Sequence, residues 1–103
     1  MKHLGLALIL VSFATPISAG DVIQKACLKS GRPAATRELC TCIQTVADSF
    51  FKAKDQRLAA SFFSDPHKAQ EIRQSDRRSH EIFWTRYKEF GAAAEQLCGP
   101  DNG

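Results

Sequence analysis

After residue 20 the sequence has no apolar stretch that could cross a membrane as a helix, which takes about 20 residues. It also lacks the sequence signatures of common enzymes: there is no phosphate-binding loop, dinucleotide fingerprint, G-x-S-x-G or H-E-x-x-H. The placement of its Ser, His and Asp residues does not suggest a catalytic triad. We therefore expect no enzymatic activity, no cofactor and no transmembrane span in the mature chain.

Neither sign of charge predominates in the sequence. Lys and Arg number 14 against 11 Asp and Glu, which gives a formal net charge of +3. A basic excess this small lends no support to a nucleic-acid partner, and we expect none.

The N-terminus has the three parts of a secretory signal peptide. Lys2 and His3 give a positive start, residues 4–13 form an apolar run, and "ATPISA" supplies small residues at the exit. We expect cleavage after Ala19, so that residues 1–19 are the signal peptide. The secreted chain would enter the periplasm if the source is a Gram-negative bacterium.

Removal of residues 1–19 leaves 84 of the 103 residues, with a net charge of +2 because Lys2 is lost. A chain of this size forms one domain, here residues 20–103, whose hydrophobic core alone is marginally stable. All four cysteines lie in the mature part, and an even number in an oxidising compartment indicates two disulfides.

The mature region has no alternating strand pattern, and its apolar residues recur at helical spacing. Asp21, Asp55 and Asp65 are the expected N-caps of the first, third and fourth helices. Gly91 inside the last helix suggests close approach of another helix. The predicted helices span residues 21–30, 36–52, 55–63, 65–74 and, from residue 75 or 76, the chain to 98. We expect an all-α fold, a small bundle of four to five helices stapled by two disulfides.

Two of the predicted helices carry long apolar stripes. On the second helix the stripe starts at Leu39, and on the last helix it ends at Leu97. The complete stripes are Leu39, Ile43, Val46 and Phe50 on the second helix, and Phe83, Tyr87, Phe90, Ala94 and Leu97 on the last.

Cys40 and Cys42 lie one residue apart within the second helix, so their side chains point about 200° apart. This divergence opposes a disulfide between them and a metal site that uses both sulfurs. It also differs from the C-x-x-C redox pattern at a helix N-terminus. We expect no metal, and we interpret both cysteines as structural.

The pairing of the cysteines follows from the turn between the first two helices. If the chain reverses direction at residues 30–34, the two helices lie antiparallel and Cys27 faces Cys40. Cys42 is then left to pair with Cys98. The exchanged pairing, Cys27 with Cys42 and Cys40 with Cys98, stays open at this point.

Two features suggest contact with a partner. Arg73, Arg77 and Arg78 form the densest charge and could contact an anion or an acidic partner. The many aromatic residues could leave an apolar groove at the surface after the core is filled.

The early Cys27, the C-x-C pair, "FF-x-DP-x-x-AQ", "FW-x-RY" and the late Cys98 resemble a family of short secreted bacterial proteins with four cysteines. The resemblance covers essentially the whole mature chain. Members of this family are often labelled "arginine transporter". Since a chain without a membrane span cannot itself form a transport path, the label implies at most an accessory role.

We hypothesise that the chain is a disulfide-stabilised binding or interaction module of the bacterial envelope. Its partner would be another envelope protein, an apolar ligand or a membrane surface. One alternative is an accessory protein in the transport of arginine, a cationic amino acid. The other is a thiol-disulfide redox protein centred on Cys40 and Cys42.

Overall fold

The computed structural model describes residues 20–99, in which all regular structure is helical. The predicted signal peptide, residues 1–19, lies outside the described residues. The five helices are α1 Val22–Lys29, α2 Arg37–Phe50, α3 Ala53–Ser64, α4 Pro66–Arg73 and α5 Arg78–Cys98. The predicted all-α fold with two disulfides is confirmed. None of the described helices is both long and apolar enough to span a membrane.

The starts of the helices differ in part from the predicted N-caps. Thr36 caps α2 through its side chain, which accepts a hydrogen bond from the Leu39 N–H at 3.1 Å. Asp55 is not a cap, because α3 begins two residues earlier at Ala53. Asp21 and Asp65 occupy the N-cap positions of α1 and α4, but neither side chain makes a capping hydrogen bond.

The last helix also begins later than predicted, at Arg78, with Arg77 in the extended conformation before it. Its first turn is preceded by Ser75, whose hydroxyl accepts the Arg77 N–H at 3.1 Å. The Ser75 hydroxyl also lies 2.7 Å from Nδ1 of His80. The predicted start at residue 75 or 76 therefore lies before the helix, where the Ser75 hydroxyl contacts Arg77 and His80.

The break between α2 and α3 lies at Phe51, whose backbone is extended at φ −129° and ψ 141°. This conformation lets the Phe51 side chain enter the core, where its ring stacks on Phe83 at 5.5 Å between centroids. The prediction that α2 continues to Lys52 is therefore wrong, because the helix ends at Phe50 and Phe51 enters the core from an extended backbone.

The helices pack in two groups that share α2. On one side α1 contacts α2 and α3, and on the other α5 contacts α2, while α4 joins α3 to α5. Aromatic rings fill the space between the end of α2, α3 and α5: the Phe62 ring lies 5.2 Å from Tyr87 and the Phe51 ring 5.1 Å from Phe90. A continuous aromatic core thus holds α5 against the rest.

Two expectations about α5 are wrong. Leu97 does not extend the buried stripe, because its side chain is 64% exposed. Gly91 does not permit close approach of another helix, since a Cβ atom at this position would have no atom within 4 Å. The second half of α5, from Gly91 onward, has no fully buried residue, so it is held mainly by α2 and the last disulfide.

Candidate functional site

The four cysteines form the two favoured disulfides, Cys27–Cys40 and Cys42–Cys98. Cys40 faces α1 and Cys42 faces α5, as their opposite directions on α2 predict. Cys27 and Cys40 are buried, whereas Cys42 and Cys98 are partly exposed. α2 is therefore covalently joined to the first and the last helix.

This connectivity bears on the chemistry expected of the C-x-C pair. Cys40 and Cys42 are bonded to different partners, and the described residues contain no free cysteine. Residues 20–99 also contain no group of three or more His, Cys, Asp or Glu side chains that could hold a metal ion. In this structure the four cysteines act as crosslinks.

A buried polar network connects α1, α2 and α3 next to the first disulfide. Gln44 Oε1 accepts hydrogen bonds from the backbone N–H groups of Ile23, at 2.8 Å, and Gln24, at 3.0 Å. Its Nε2 donates to Asp48 Oδ1 and to Gln56 Oε1, both at 2.8 Å. Gln56 Nε2 in turn donates to Asp48 Oδ1 at 3.0 Å and to the Phe51 carbonyl at 3.2 Å.

Gln44 thereby supplies the N-terminal cap that Asp21 does not supply to α1. The first N–H groups of a helix have no partner within it, and side-chain oxygens usually satisfy them. Here the oxygen comes from a neighbouring helix, while the Asp21 carboxylate lies 3.4 Å from the Lys25 ammonium. Sequence reasoning missed this network; the spacing of Cys40, Gln44 and Ala47 on one face of α2 is the signal that could have found it.

A surface groove lies between α1 and α3, with a volume of about 620 Å³. Cavities of about 300–1,000 Å³ are typical of small-ligand sites. We call it the α1–α3 groove. It is lined by Val22, Lys25, Ala26, Lys29 and Ser30 from α1 and its end, and by Ala60, Ser61, Phe63 and Ser64 from α3.

The α1–α3 groove combines an apolar floor with a positive rim. Val22, Ala26, Ala60 and Phe63 supply the apolar surface, and both charged residues of the lining are lysines. Lys25 and Lys29 stand four residues apart on α1 and therefore share one face of it. The sequence suggested an apolar surface groove but did not locate it, because helical periodicity does not reveal which helices pack side by side.

Two smaller depressions have different chemistry. One, of about 290 Å³, lies between α2 and α5 and is mainly apolar, with Glu95 at its edge. The other, of about 370 Å³, lies at the end of α2 and mixes both charges. It is lined by Asp48, Ser49, Phe50, Phe51, Lys52, Arg86 and Glu89.

The predicted arginine cluster lies at the junction of α4 and α5 and lines none of these three depressions. Arg73 ends α4, and Arg77 and Arg78 stand at the start of α5. All three are exposed, and Arg73 Nη1 donates to Gln70 Oε1 at 3.1 Å. A role of these residues in contacting an anion or partner stays a prediction.

Comparison with protein-family models, with curated proteins and with solved structures gives no match. The resemblance described above therefore stays a prediction.

Proposed function

We propose that this chain is an exported, disulfide-stabilised binding module, and that it binds its ligand in the α1–α3 groove. Export is supported by the charged, apolar and small-residue pattern of residues 1–19 and by two disulfides that use all four cysteines. In a Gram-negative bacterium such a protein would act in the periplasm.

The observation that carries this proposal is the apolar floor of the α1–α3 groove. Ala60 is buried at its base, and Phe63 and Val22 are only partly buried against the core, so they leave apolar surface accessible to a ligand. The walls of the groove are also fixed. α1 is crosslinked to α2 by the Cys27–Cys40 disulfide, and α3 is bonded to α2 through Gln56.

A neutral apolar fluorescent probe, N-phenylnaphthylamine, tests this function. We expect its fluorescence to rise on binding to the wild-type protein. The variant Ser61→Phe would fill the groove and weaken binding of the probe by roughly tenfold or more, because it occupies the space that buries the probe. Ser61 is a suitable site because it lines the groove and is only partly buried.

The matched control is Thr85→Phe, which adds the same ring to an exposed position of α5 outside the groove. Circular dichroism would establish that both variants keep the wild-type helix content. Absence of probe binding by the wild-type protein, or equal binding by the wild type and Ser61→Phe, would overturn the proposal.

One observation favours the alternative of an accessory role in arginine transport. The depression at the end of α2 is lined by Asp48, Glu89 and Phe50, and a guanidinium is recognised by carboxylates and aromatic faces. Lys52 and Arg86 line the same depression and balance its charge.

Titration calorimetry with arginine tests this alternative. If it is correct, arginine binds the wild-type protein, and Glu89→Gln weakens binding several-fold while Glu95→Gln, an exposed change elsewhere on α5, does not. A flat trace with the wild-type protein at millimolar arginine would remove the alternative.

A further inference from the structure

We infer that the ligand of the α1–α3 groove is an anionic amphiphile, namely a single hydrocarbon chain that ends in a carboxylate or a phosphate. The inference rests on the proposed function, because it concerns the same groove. It goes further in assigning the charge of the headgroup and the residues that contact it.

The first argument is the sign of the charge around the groove. Its two charged lining residues, Lys25 and Lys29, are both basic, and no acidic side chain lines it. The Asp21 carboxylate lies 3.4 Å from the Lys25 ammonium, and Asp21 does not line the groove. Because an ammonium group has three donors, Lys25 can keep this contact and still bind an anion.

The second argument is the hydrogen bonding of the serines that line the groove. Ser30 donates to the Cys27 carbonyl and Ser61 to the Leu58 carbonyl, both at 2.6 Å. Ser64 donates to the Ser61 carbonyl at 3.2 Å. Their hydroxyl protons are thus used within the protein. Among the lining side chains, this leaves the two ammonium groups as the donors for a headgroup.

The third argument is the arrangement of the two kinds of surface. The lysines alternate on α1 with Val22 and Ala26, which form part of the floor, and Ala60 and Phe63 continue the apolar surface onto α3. A hydrocarbon chain can therefore lie along the floor while its headgroup stays at the solvent-exposed rim. A small anion would use only the rim, and a neutral apolar molecule only the floor.

Displacement of N-phenylnaphthylamine by amphiphiles of one chain length tests the inference. The competitors are tridecanoate, dodecyl phosphate and dodecyltrimethylammonium, which carry the same twelve-carbon chain and differ only in the headgroup. We expect the two anions to displace the probe at concentrations at least threefold lower than the cation. We also expect added salt to reduce this preference, because exposed charges are screened.

The variant that removes both charges is Lys25→Gln with Lys29→Gln. It should lose the preference for the anions while it still binds the neutral probe. The control is Lys88→Gln, an exposed lysine of α5 outside the groove, which should keep the preference. Inorganic phosphate alone should not displace the probe at millimolar concentration, since the apolar chain is required.

The outcomes separate this inference from the proposed function. Equal displacement by anion and cation, or a preference that survives in the double glutamine variant, overturns the inference and leaves apolar binding in the groove intact. Displacement by inorganic phosphate as effective as that by dodecyl phosphate also overturns it. Failure of Ser61→Phe to weaken probe binding overturns the proposed function instead.

Discussion

Gln44 makes four hydrogen bonds to α1, α2 and α3 although its side chain is almost completely buried. A buried polar side chain contributes to stability only when its partners are all present, because an unpaired buried donor or acceptor is costly. Every buried side-chain nitrogen and oxygen in residues 20–99 has such a partner. The network around Gln44 therefore fixes how three helices meet, which an apolar residue could not do.

Replacement of Gln44 by leucine should reduce the free energy of unfolding by about 2 kcal/mol or more. The change leaves the Ile23 N–H and Gln56 Oε1 without their partners. Urea denaturation followed by circular dichroism measures the loss. Thr45→Ala is the control, since Thr45 is exposed and its hydroxyl contacts only the Thr41 carbonyl of its own helix. A change below about 0.5 kcal/mol in Gln44→Leu, typical of surface substitutions, would contradict the structural role.

Tyr87 gives the protein a stability that depends on pH. Burial raises the pKa of its hydroxyl, and the positive charge of Arg32 opposes part of the rise. The pKa of tyrosine in an unfolded chain is about 10, whereas Tyr87 in the folded protein keeps its proton to higher pH. The contribution of the protonated Tyr87 hydroxyl to the free energy of unfolding is therefore complete below about pH 10. It is lost as the pH rises through the folded-state pKa.

The variant Tyr87→Phe cannot ionise, so its stability should fall less than that of the wild type between about pH 9 and pH 11. Urea denaturation of both proteins across this range measures the difference. Tyr87 is the only tyrosine of the chain, so the ultraviolet absorbance of tyrosinate reports its titration directly. A constant difference in unfolding free energy across the range would contradict the raised pKa.

At the scale of the helices, the two disulfides differ in the length of chain that they close and in the helix that they attach to α2. Cys27–Cys40 links residues 13 apart beside the buried glutamine network, whereas Cys42–Cys98 links residues 56 apart. In the chain-entropy account these crosslinks stabilise the fold by about 3 and about 4 kcal/mol, respectively. The second one also holds a part of α5 that has no buried residue after Phe90.

Replacement of Cys42 and Cys98 together by serine should therefore release the end of α5. We expect fast hydrogen exchange of the amides of residues 93–98, while the amides up to Phe90 stay protected by the aromatic core. The comparison is the Cys27→Ser, Cys40→Ser variant, which should lower global stability without selective exchange at the end of α5. Unchanged protection of residues 93–98 in the first variant would show that helix packing alone holds them.

The sequence predicted the presence of the helices more accurately than the residues at which they begin and end. Apolar spacing and helix-start signals predicted four to five helices, and five are found. The opposite directions of Cys40 and Cys42 predicted different partners, and the turn between the first two helices favoured the pairing that is found. The end of α2 was predicted too late, at Lys52, because the helical spacing of α2 does not show that Phe51 leaves the helix and enters the core. The start of α1 after Asp21 was predicted correctly, but the capping side chain was missed because the oxygen comes from Gln44, which is 21 residues from Ile23 in sequence.

At the scale of the whole molecule, the candidate site was less predictable than the fold. The aromatic residues that suggested a surface groove mostly fill the core between α2, α3 and α5. Only one of them, Phe63, lines the α1–α3 groove, and the other lining residues are a valine, two alanines, three serines and two lysines, whose types are common on any exposed helix. Only the side-by-side packing of α1 and α3 brings them together in one groove.

Export of the whole chain can be tested by producing it from Met1 in a Gram-negative host. We expect periplasmic protein with the mass of residues 20–103 less four hydrogens, because cleavage follows Ala19 and both disulfides form. Mass spectrometry with and without reduction measures this. The variant Leu8→Arg, which interrupts the apolar run, should stay uncleaved in the cytoplasm with reduced cysteines. Cytoplasmic wild-type protein with an intact N-terminus would contradict export.

The cap that Gln44 provides to α1 has a consequence for the order of folding. α1 has eight residues, and an isolated helix of this length is not stable in water. Its first N–H groups also depend on an oxygen that belongs to α2. α1 is made before α2 but can become stable only after α2 has formed, so the order of synthesis along the chain is not the order in which its helices become stable.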